Sequence, residues 1–457
     1  MLISFSVSNF RSFGEEQTLN MVASNKLTDH PEHRVPIRST GKHVLRAAVI
    51  YGANAAGKSN LIRAMRVAQQ LILESGERPP GVEPFCFDRE RLGQPSSFEF
   101  RFLLGERVFV FGFDVTSTQI IGEWLAVLSN NGDELPIFER DVEGVTKIGD
   151  KSKRLLASDT TMFATLTPLA QLPVKNTQLF LNRVRSLPEA SQGATLGAVV
   201  RWLTQDLVIL KAQHRVSDIV NRLYRDATFR SFSSQFLQSV GTGIGELGVE
   251  EDTRELGAFN DLLKSGMVKP GPFLVGSGDT EFEFKGDPDH FVVRRLVAAH
   301  NPKGEPIPLP FSEESDGTEQ LLHLMPVLSP AEENKVFVID ELDRSLHPLL
   351  TWEFIRFFSE SLPGVRKQLI VTTHEVHLLN QELLRRDEYW FVEKDAAQQS
   401  RLVSLSDFNI RNDLQVEKGY LQGRFGAIPV IGAMGDLEKL LKSPGTEAKD
   451  APQDTSA

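Results

Sequence analysis

Eight residues fix most of what this chain can become: Gly52-Ala-Asn54-Ala-Ala-Gly57-Lys58-Ser59. They follow an apolar run, Leu45 to Tyr51, and lead into a segment where Leu61, Met65, Ala68 and Leu71 recur at helical spacing. Strand, glycine-rich turn and helix in that order form a phosphate-binding loop. Gly52 and Gly57 let the backbone bend so that its N–H groups, with the positive end of the following helix, point at negative oxygens. Asn54, Gly57, Lys58 and Ser59 are the expected nucleotide-binding residues, with Lys58 reaching the β- and γ-phosphates and the Ser59 hydroxyl ligating Mg²⁺. The alternative, a glycine-rich turn ahead of an unrelated helix, does not account for both flanking elements.

A second constellation lies far downstream. Val336 to Ile339 runs directly into Asp340-Glu341, which puts two carboxylates at the carboxyl end of a buried strand, where ligands bind in open α/β sheets. Asp340 fits a partner of Mg²⁺, and Glu341 stands where a base can orient or deprotonate an attacking water. A solvated turn or a helix cap would use the same residues; the phosphate loop upstream favours the chemical reading. His374 ends another apolar strand, LIVTTH, from which it can donate to a γ-phosphate oxygen. Ser315-Asp316-Gly317-Thr318-Glu319 precedes the apolar helix QLLHLMPVL, so this segment is either an ordinary helix cap or a helix start that accepts an anion.

The rest of the chain sets these motifs in a mixed α/β frame. Ile3, Phe5 and Val7 alternate with serines in an opening strand, and Phe98 to Phe113 alternate through a turn at Leu104-Gly105-Glu106-Arg107, predicting a β-hairpin. Strands alternating with helices after Val336 imply a parallel sheet. Four segments are expected: an N-terminal lobe over 1–130, a mainly helical insertion over 131–300, a C-terminal lobe over 301–440 and a disordered polar tail over 441–457. No sustained heptad predicts a long coiled-coil arm. With 457 residues, 40% hydrophobic and 24% charged, the chain has the makings of about two or three domains. No segment approaches a membrane span and the N-terminus carries no leader pattern, so a cytoplasmic protein with no membrane partner is expected. Cys86 is the single cysteine, which rules out an internal disulfide framework. A net charge of −11 argues against indiscriminate nucleic-acid coating, since that affinity comes from neutralised phosphates.

Taken in order, phosphate loop, SDGTEQ segment, VFVIDE strand and terminal TTH resemble the ABC-type ATPases of the SMC, RecF and OLD group. The resemblance implies an ABC-type P-loop ATPase head: a mixed β-sheet flanked by helices, an antiparallel β-subdomain and a helical insertion. It also implies that Ser315 and Gly317 act in trans, completing the γ-phosphate site of a second copy, so that the heads work as a homodimer or higher homo-oligomer with ATP and Mg²⁺. Asn9-Phe10-Arg11-Ser12-Phe13 looks like the family's first-strand motif, which makes Arg11 a nucleotide contact. Where the family's post-acidic loop ends Leu-Asp, this chain has Leu346-His347, a form seen in the OLD-like branch. The EESDGT signature and the segment Glu417 to Pro429 are most similar to short bacterial AAA-type ATPases without a TOPRIM domain, the kind that pair with a nuclease or toxin in abortive-infection and PARIS-type anti-phage systems. The implied function is an ATP-hydrolysing switch that senses phage protein or abnormal DNA and controls a separate effector. The alternative is a DNA-repair or DNA-tethering SMC-like ATPase that binds DNA itself. A transporter subunit fits the insertion and the SDGT signature poorly, and a kinase would need a second substrate site that the sequence does not show.

Overall fold

A computed structural model describes residues 1–38, 40–74, 76, 79, 81–210, 219–255, 279–283, 290–301, 304–360, 365–408 and 416–424. The expected tail, 441–457, and residues 425–429 of the Glu417–Pro429 segment lie outside them.

The central element is a six-stranded sheet in the order Leu207–Leu210, Val336–Ile339, Gln368–Thr372, Ala47–Gly52, Tyr389–Lys394, Ser400–Ser404. The first five strands run parallel and the last is antiparallel. Every residue of Ala47–Gly52 and Val336–Ile339 is buried, as strands covered on both faces must be. Their side chains alternate between two cores. Ala48, Ile50, Val336, Val338 and Ile370 enter one, with the apolar face of helix Lys58–Leu73. Ala47, Val49, Phe337, Ile339, Leu369 and Val371 enter the other, with helices Asp316–Leu328 and Pro348–Glu360.

The first core is shared with a seven-stranded antiparallel sheet whose order is Thr146–Ile148, Glu134–Arg140, Ile120–Leu128, Arg107–Val115, Ser96–Leu104, Leu2–Ser8, Gln17–Asn20. The expected hairpin is its middle, with Phe98 opposite Phe113 and Phe100 opposite Phe111. A mixed sheet flanked by helices beside an antiparallel sheet is the ABC-type head arrangement expected from the sequence.

The insertion differs in detail. The boundary expected at 130/131 falls in the turn between Ile120–Leu128 and Glu134–Arg140, which pair antiparallel, so the N-terminal lobe runs on past it. Helices such as Thr160–Ala170, Ala194–Arg201 and Ala227–Ser239 do fill much of 131–300, interleaved with strands. The run LGAVVRWLTQDLVILKA within the expected helical insertion changes character after Asp206: Leu207–Leu210 is the edge strand of the central sheet, where its backbone pairs in parallel with Val336–Ile339. Likewise the helix in SSQFLQSVGTGIGELG stops at Ser239, and Ile244–Glu255 opens a further antiparallel sheet with Thr280–Glu283, His290–His300 and Ile307–Pro310. No helix among the described residues is long and apolar enough to cross a membrane. Cys86 is exposed.

Candidate functional site

Register alone gathers the motifs. Ile50 pairs with Thr372, and Val371 with Ile339, so the residues following these strands leave the sheet along one carboxyl-terminal edge. That edge carries the phosphate loop, Asp340-Glu341 and Thr373-His374 side by side, the position where open parallel sheets bind ligands.

Both framing glycines of the loop are sterically required. A Cβ at Gly52 would lie 2.5 Å from the Val392 carbonyl oxygen, and one at Gly57 would lie 2.2 Å from Ser400 Oγ. Gly57 also has φ +119 and caps helix Lys58–Leu73 without any side-chain bond, so no side chain takes up the N–H groups of Lys58 and Ser59, while Asn60 N donates to the Gly57 carbonyl at 3.0 Å. Asn54 and Ala55 form the exposed tip, with Ala55 left-handed at φ +62. Ser400, Asn60 and Ser12, the last from the Asn9–Phe13 motif, brace this loop. Ser400 Oγ donates to the Ala56 carbonyl at 2.5 Å, Ser400 N donates to the Ser12 carbonyl at 2.7 Å, and Asn60 Nδ2 donates to Ser12 Oγ at 2.9 Å.

Lys58 is 6% exposed and its ammonium donates to the carbonyls of Gly52 (2.6 Å) and Ala53 (3.3 Å). Burial pulls its pKa below the ordinary lysine value, while the charges of Asp340, Asp343 and Glu341 oppose that shift. Ser59 Oγ donates to Asp340 Oδ1 at 3.2 Å. The same carboxylate oxygen accepts from Thr372 Oγ1 at 2.6 Å, and Thr372 Oγ1 accepts from Glu341 N at 2.8 Å. Thr372 therefore fixes both acidic residues; its signal was a hydroxyl at the end of an otherwise apolar strand. A hydroxyl and a carboxylate oxygen side by side at the mouth of a phosphate loop are hard oxygen donors of the kind Mg²⁺ takes alongside waters and phosphates. Ser59 and Asp340 thus fit the cation.

Glu341 holds a left-handed backbone, φ +54, with its half-exposed carboxylate 3.7 Å from Arg344. His374 is exposed, its N–H donating to the Asp343 carboxylate at 3.3 Å. Arg11 is also left-handed, φ +51, and its guanidinium pairs with Glu83. It remains in the site's neighbourhood, since Arg63, Arg11 and Asp340 all act on the charge of Arg66, whose pKa is lowered chiefly by burial. Arg63 and Arg66, on the helix that leaves the loop, were not singled out from sequence.

Ser315 is the exposed N-cap of helix Asp316–Leu328, its Oγ accepting from Thr318 N at 3.2 Å. The bland reading of this serine is realised within the chain. Gly317 presses on the loop after the acidic pair, where a Cβ would come within 2.7 Å of the Ser345 carbonyl. His347 lies at the end of that loop, its carbonyl accepting from Leu350 N at 2.8 Å at the start of helix Pro348–Glu360.

A parallel sheet with a glycine-framed loop opening a helix, and a serine and an aspartate juxtaposed at its mouth, define a P-loop ATPase. The family described as "AAA domain, putative AbiEii toxin, Type IV TA system" matches residues 47–150 and 196–380, more than half of the chain, and the chain belongs to that family. Among solved structures it is similar to the SMC head domain from Thermotoga maritima, at 12% identity and a TM-score of 0.36, over 88% of this chain and 98% of the other. It is similar too to the Smc head domain with an extended coiled coil bound to the C-terminal domain of ScpA from Pyrococcus furiosus, at 13% identity and a TM-score of 0.38, over 96% and 99%. No curated protein matches the chain.

Proposed function

We propose that this chain binds and hydrolyses ATP with Mg²⁺ between two copies of itself, and that the closing and opening of the pair controls a second protein. The reading rests on one observation: the hydrogen-bonded line Ser59, Asp340, Thr372, Glu341 beside the buried Lys58. Bound Mg·ATP would supply the electrophilic phosphorus and the charge compensation. Loop N–H groups and Lys58 would grip the phosphates, Ser59 and Asp340 would hold the cation, and Glu341 would orient or deprotonate water. His374 would face the γ-phosphate from the neighbouring strand end, with Asn54 and Arg11 contacting nucleotide.

The pairing rests on Ser315 and Gly317. Among the described residues the Ser315 hydroxyl bonds only within its own first turn, so the exposed N-terminus of this helix can be offered to another copy. Two surfaces that hold a γ-phosphate only jointly make nucleotide favour the joined state through differential affinity. The family's description names a putative toxin of a type IV toxin–antitoxin system, which is one half of a two-protein unit. In this proposal the second protein is a nuclease or toxin acting in defence, released by phage protein or abnormal DNA.

The test is direct. Glu341→Gln should retain ATP and accumulate as a nucleotide-dependent pair in sedimentation, because water activation fails while binding survives. Lys58→Ala should weaken nucleotide binding. A Glu341→Gln chain that turns ATP over at the native rate, or a native chain that hydrolyses as a strict monomer, would overturn the proposal. Isolation from native cells with a bound neighbour-encoded protein checks the effector step.

A further inference from the structure

We propose that His30, Glu32 and His33 form a binding site for one divalent transition-metal ion of the zinc type, at the edge of the central sheet opposite the phosphate loop. The three side chains meet on a short 3₁₀ turn, Pro31–His33, just before strand Arg34–Ile37. His30 Nδ1 lies 3.5 Å from Glu32 Oε1, and His33 Nε2 lies 3.6 Å from the same oxygen. One ligand atom from each residue falls within 4.8 Å of the others. Ligands bound at ~2.0–2.2 Å around a tetrahedral zinc sit about 3.4 Å apart, so small side-chain adjustments suffice to close the set.

Proton placement separates this cluster from an ordinary ion pair. His30 Nε2 is 2.9 Å from the Gln381 carbonyl, and His33 Nδ1 is 2.9 Å from Glu388 Oε2. A carbonyl or a carboxylate only accepts, so each ring carries its proton on the nitrogen turned away from Glu32. In the neutral imidazoles, His30 Nδ1 and His33 Nε2 therefore present lone pairs toward a carboxylate oxygen. Three converging lone-pair donors repel one another until a cation stands between them.

An outer hydrogen bond from the far nitrogen to a carbonyl or carboxylate is also the arrangement that orients histidines bound to metal. Glu388 is itself fixed: it is fully buried, and its Oε2 also accepts from Arg385 N at 2.8 Å. His33 is 1% exposed, while the His30 and Glu32 side chains, at 21% and 35%, leave a path from solvent and room for water as the fourth ligand. Glu32 and Glu388 both act on the buried Arg46, so the locality holds two carboxylates against that one guanidinium besides the paired Arg385 and Asp387. Two imidazoles and a carboxylate select zinc, or cobalt in its place, over Mg²⁺ and Ca²⁺, which take oxygen.

The site would act as a clasp. The His33 carbonyl accepts from Arg46 N at 2.9 Å, and Arg46 precedes the strand that ends in the phosphate loop; Glu388 precedes the adjacent strand. An ion held there would fix the turn that carries His33, and so the hydrogen bonds by which the His33 carbonyl and ring reach the amino ends of both strands.

The experiment uses the full chain, stripped with a chelator and titrated with zinc in excess Mg²⁺ against a chromophoric competitor. One zinc per chain and a raised thermal midpoint are expected. His30→Ala and Glu32→Gln, both on the solvent side, should each lower zinc affinity by more than the about 10–100-fold that loss of an outer hydrogen-bonding partner costs. His377→Ala, at the exposed His377–Glu417 pair, should leave it unchanged. Cobalt bound to the native chain should give the strong visible bands of a tetrahedral site, a readout that needs no variant to fold. Absence of stoichiometric zinc, a cobalt spectrum of the octahedral aquo type, or binding that survives both substitutions would overturn the proposal.

Discussion

The two ends of the central sheet are built from the same strands and treat polar groups in opposite ways. At the amino ends Arg46, Lys367, Gln368, Arg385 and Glu388 are at most 1% exposed. Arg46 donates to the Ser359 and Phe358 carbonyls, Lys367 to those of Val327 and Ser329, and Gln368 to those of Leu2 and Leu45. Arg385 pairs with Asp387 and reaches the Ser24, Leu27 and Asp29 carbonyls. At the carboxyl ends Asn54, Ser59 and His374 are exposed, and Ala55, Glu341 and Ser345 sit in left-handed backbone. Such conformations cost about 1–3 kcal/mol each and persist where surrounding structure imposes them. Groups bonded into the fold in this way chiefly stabilise it, although Arg46 Nε and Glu388 Oε1 are buried without a hydrogen-bond partner among the described residues; groups held in place without being consumed can meet a ligand. The difference assigns stability to one edge and chemistry to the other.

The sharpest way to break that division is to exchange the readouts. Glu341→Gln should lower ATP turnover by about 10²–10⁴-fold, the range for losing a positioned base, with the thermal midpoint of the nucleotide-free chain unchanged. Arg385→Ala should do the reverse. Removing a fully buried guanidinium leaves Asp387 uncompensated, and about 3–5 kcal/mol of unfolding free energy should disappear in a denaturant titration. A stable Arg385→Ala chain, or a Glu341→Gln chain that melts early, would dissolve the contrast.

A smaller effect extends the rule to the antiparallel sheet. Glu123 is 1% exposed and accepts from Phe180 N at 2.5 Å and Leu181 N at 2.9 Å, anchoring the short helix Phe180–Arg185. Burial raises its pKa from 4.5 to about 7, against the pull of those N–H groups and of Arg140. The folded state therefore holds a proton that the unfolded chain has released between those two values. The stability this contributes is complete below the unfolded pKa and is lost as pH rises through about 7. Glu123→Gln should flatten that part of the thermal midpoint's pH dependence; an identical slope in the variant would place the titrating group elsewhere.

How much of this was legible in the sequence followed from locality. The phosphate loop and the acidic strand end were readable because a doubly covered strand is an unbroken apolar run that stops at its polar residues, as at Ile339-Asp340. The hairpin was readable because Phe98 to Phe113 alternate around a tight turn. Leu207–Leu210 was not: four residues directly after a helix carry too little period to reveal a strand, and what makes them one is pairing with Val336–Ile339, distant in sequence. Ser12 and Ser400, which box in Gly57, share only a place in space. Thr372 was visible as a polar strand end, but its grip on both Asp340 and Glu341 needed the register of three strands. The His30 cluster likewise takes its meaning from Gln381 and Glu388.

Ser315 gives the smallest and most discriminating effect, because both readings of it stand on the same atoms. As a helix cap it accepts from Thr318 N, and Ser315→Ala should cost about 1 kcal/mol of stability and leave turnover per folded chain alone. As a γ-phosphate contact in a second copy it should matter to turnover and to nucleotide-dependent pairing. Ser315→Asp separates the two. Aspartate caps as well as serine and its charge suits a helix N-terminus, so the nucleotide-free chain should keep its stability. The same charge set against a γ-phosphate repels it, so pairing and turnover should fall together. If Ser315→Asp pairs and hydrolyses like the native chain, this helix start belongs with the self-satisfied edge and the trans site must lie elsewhere.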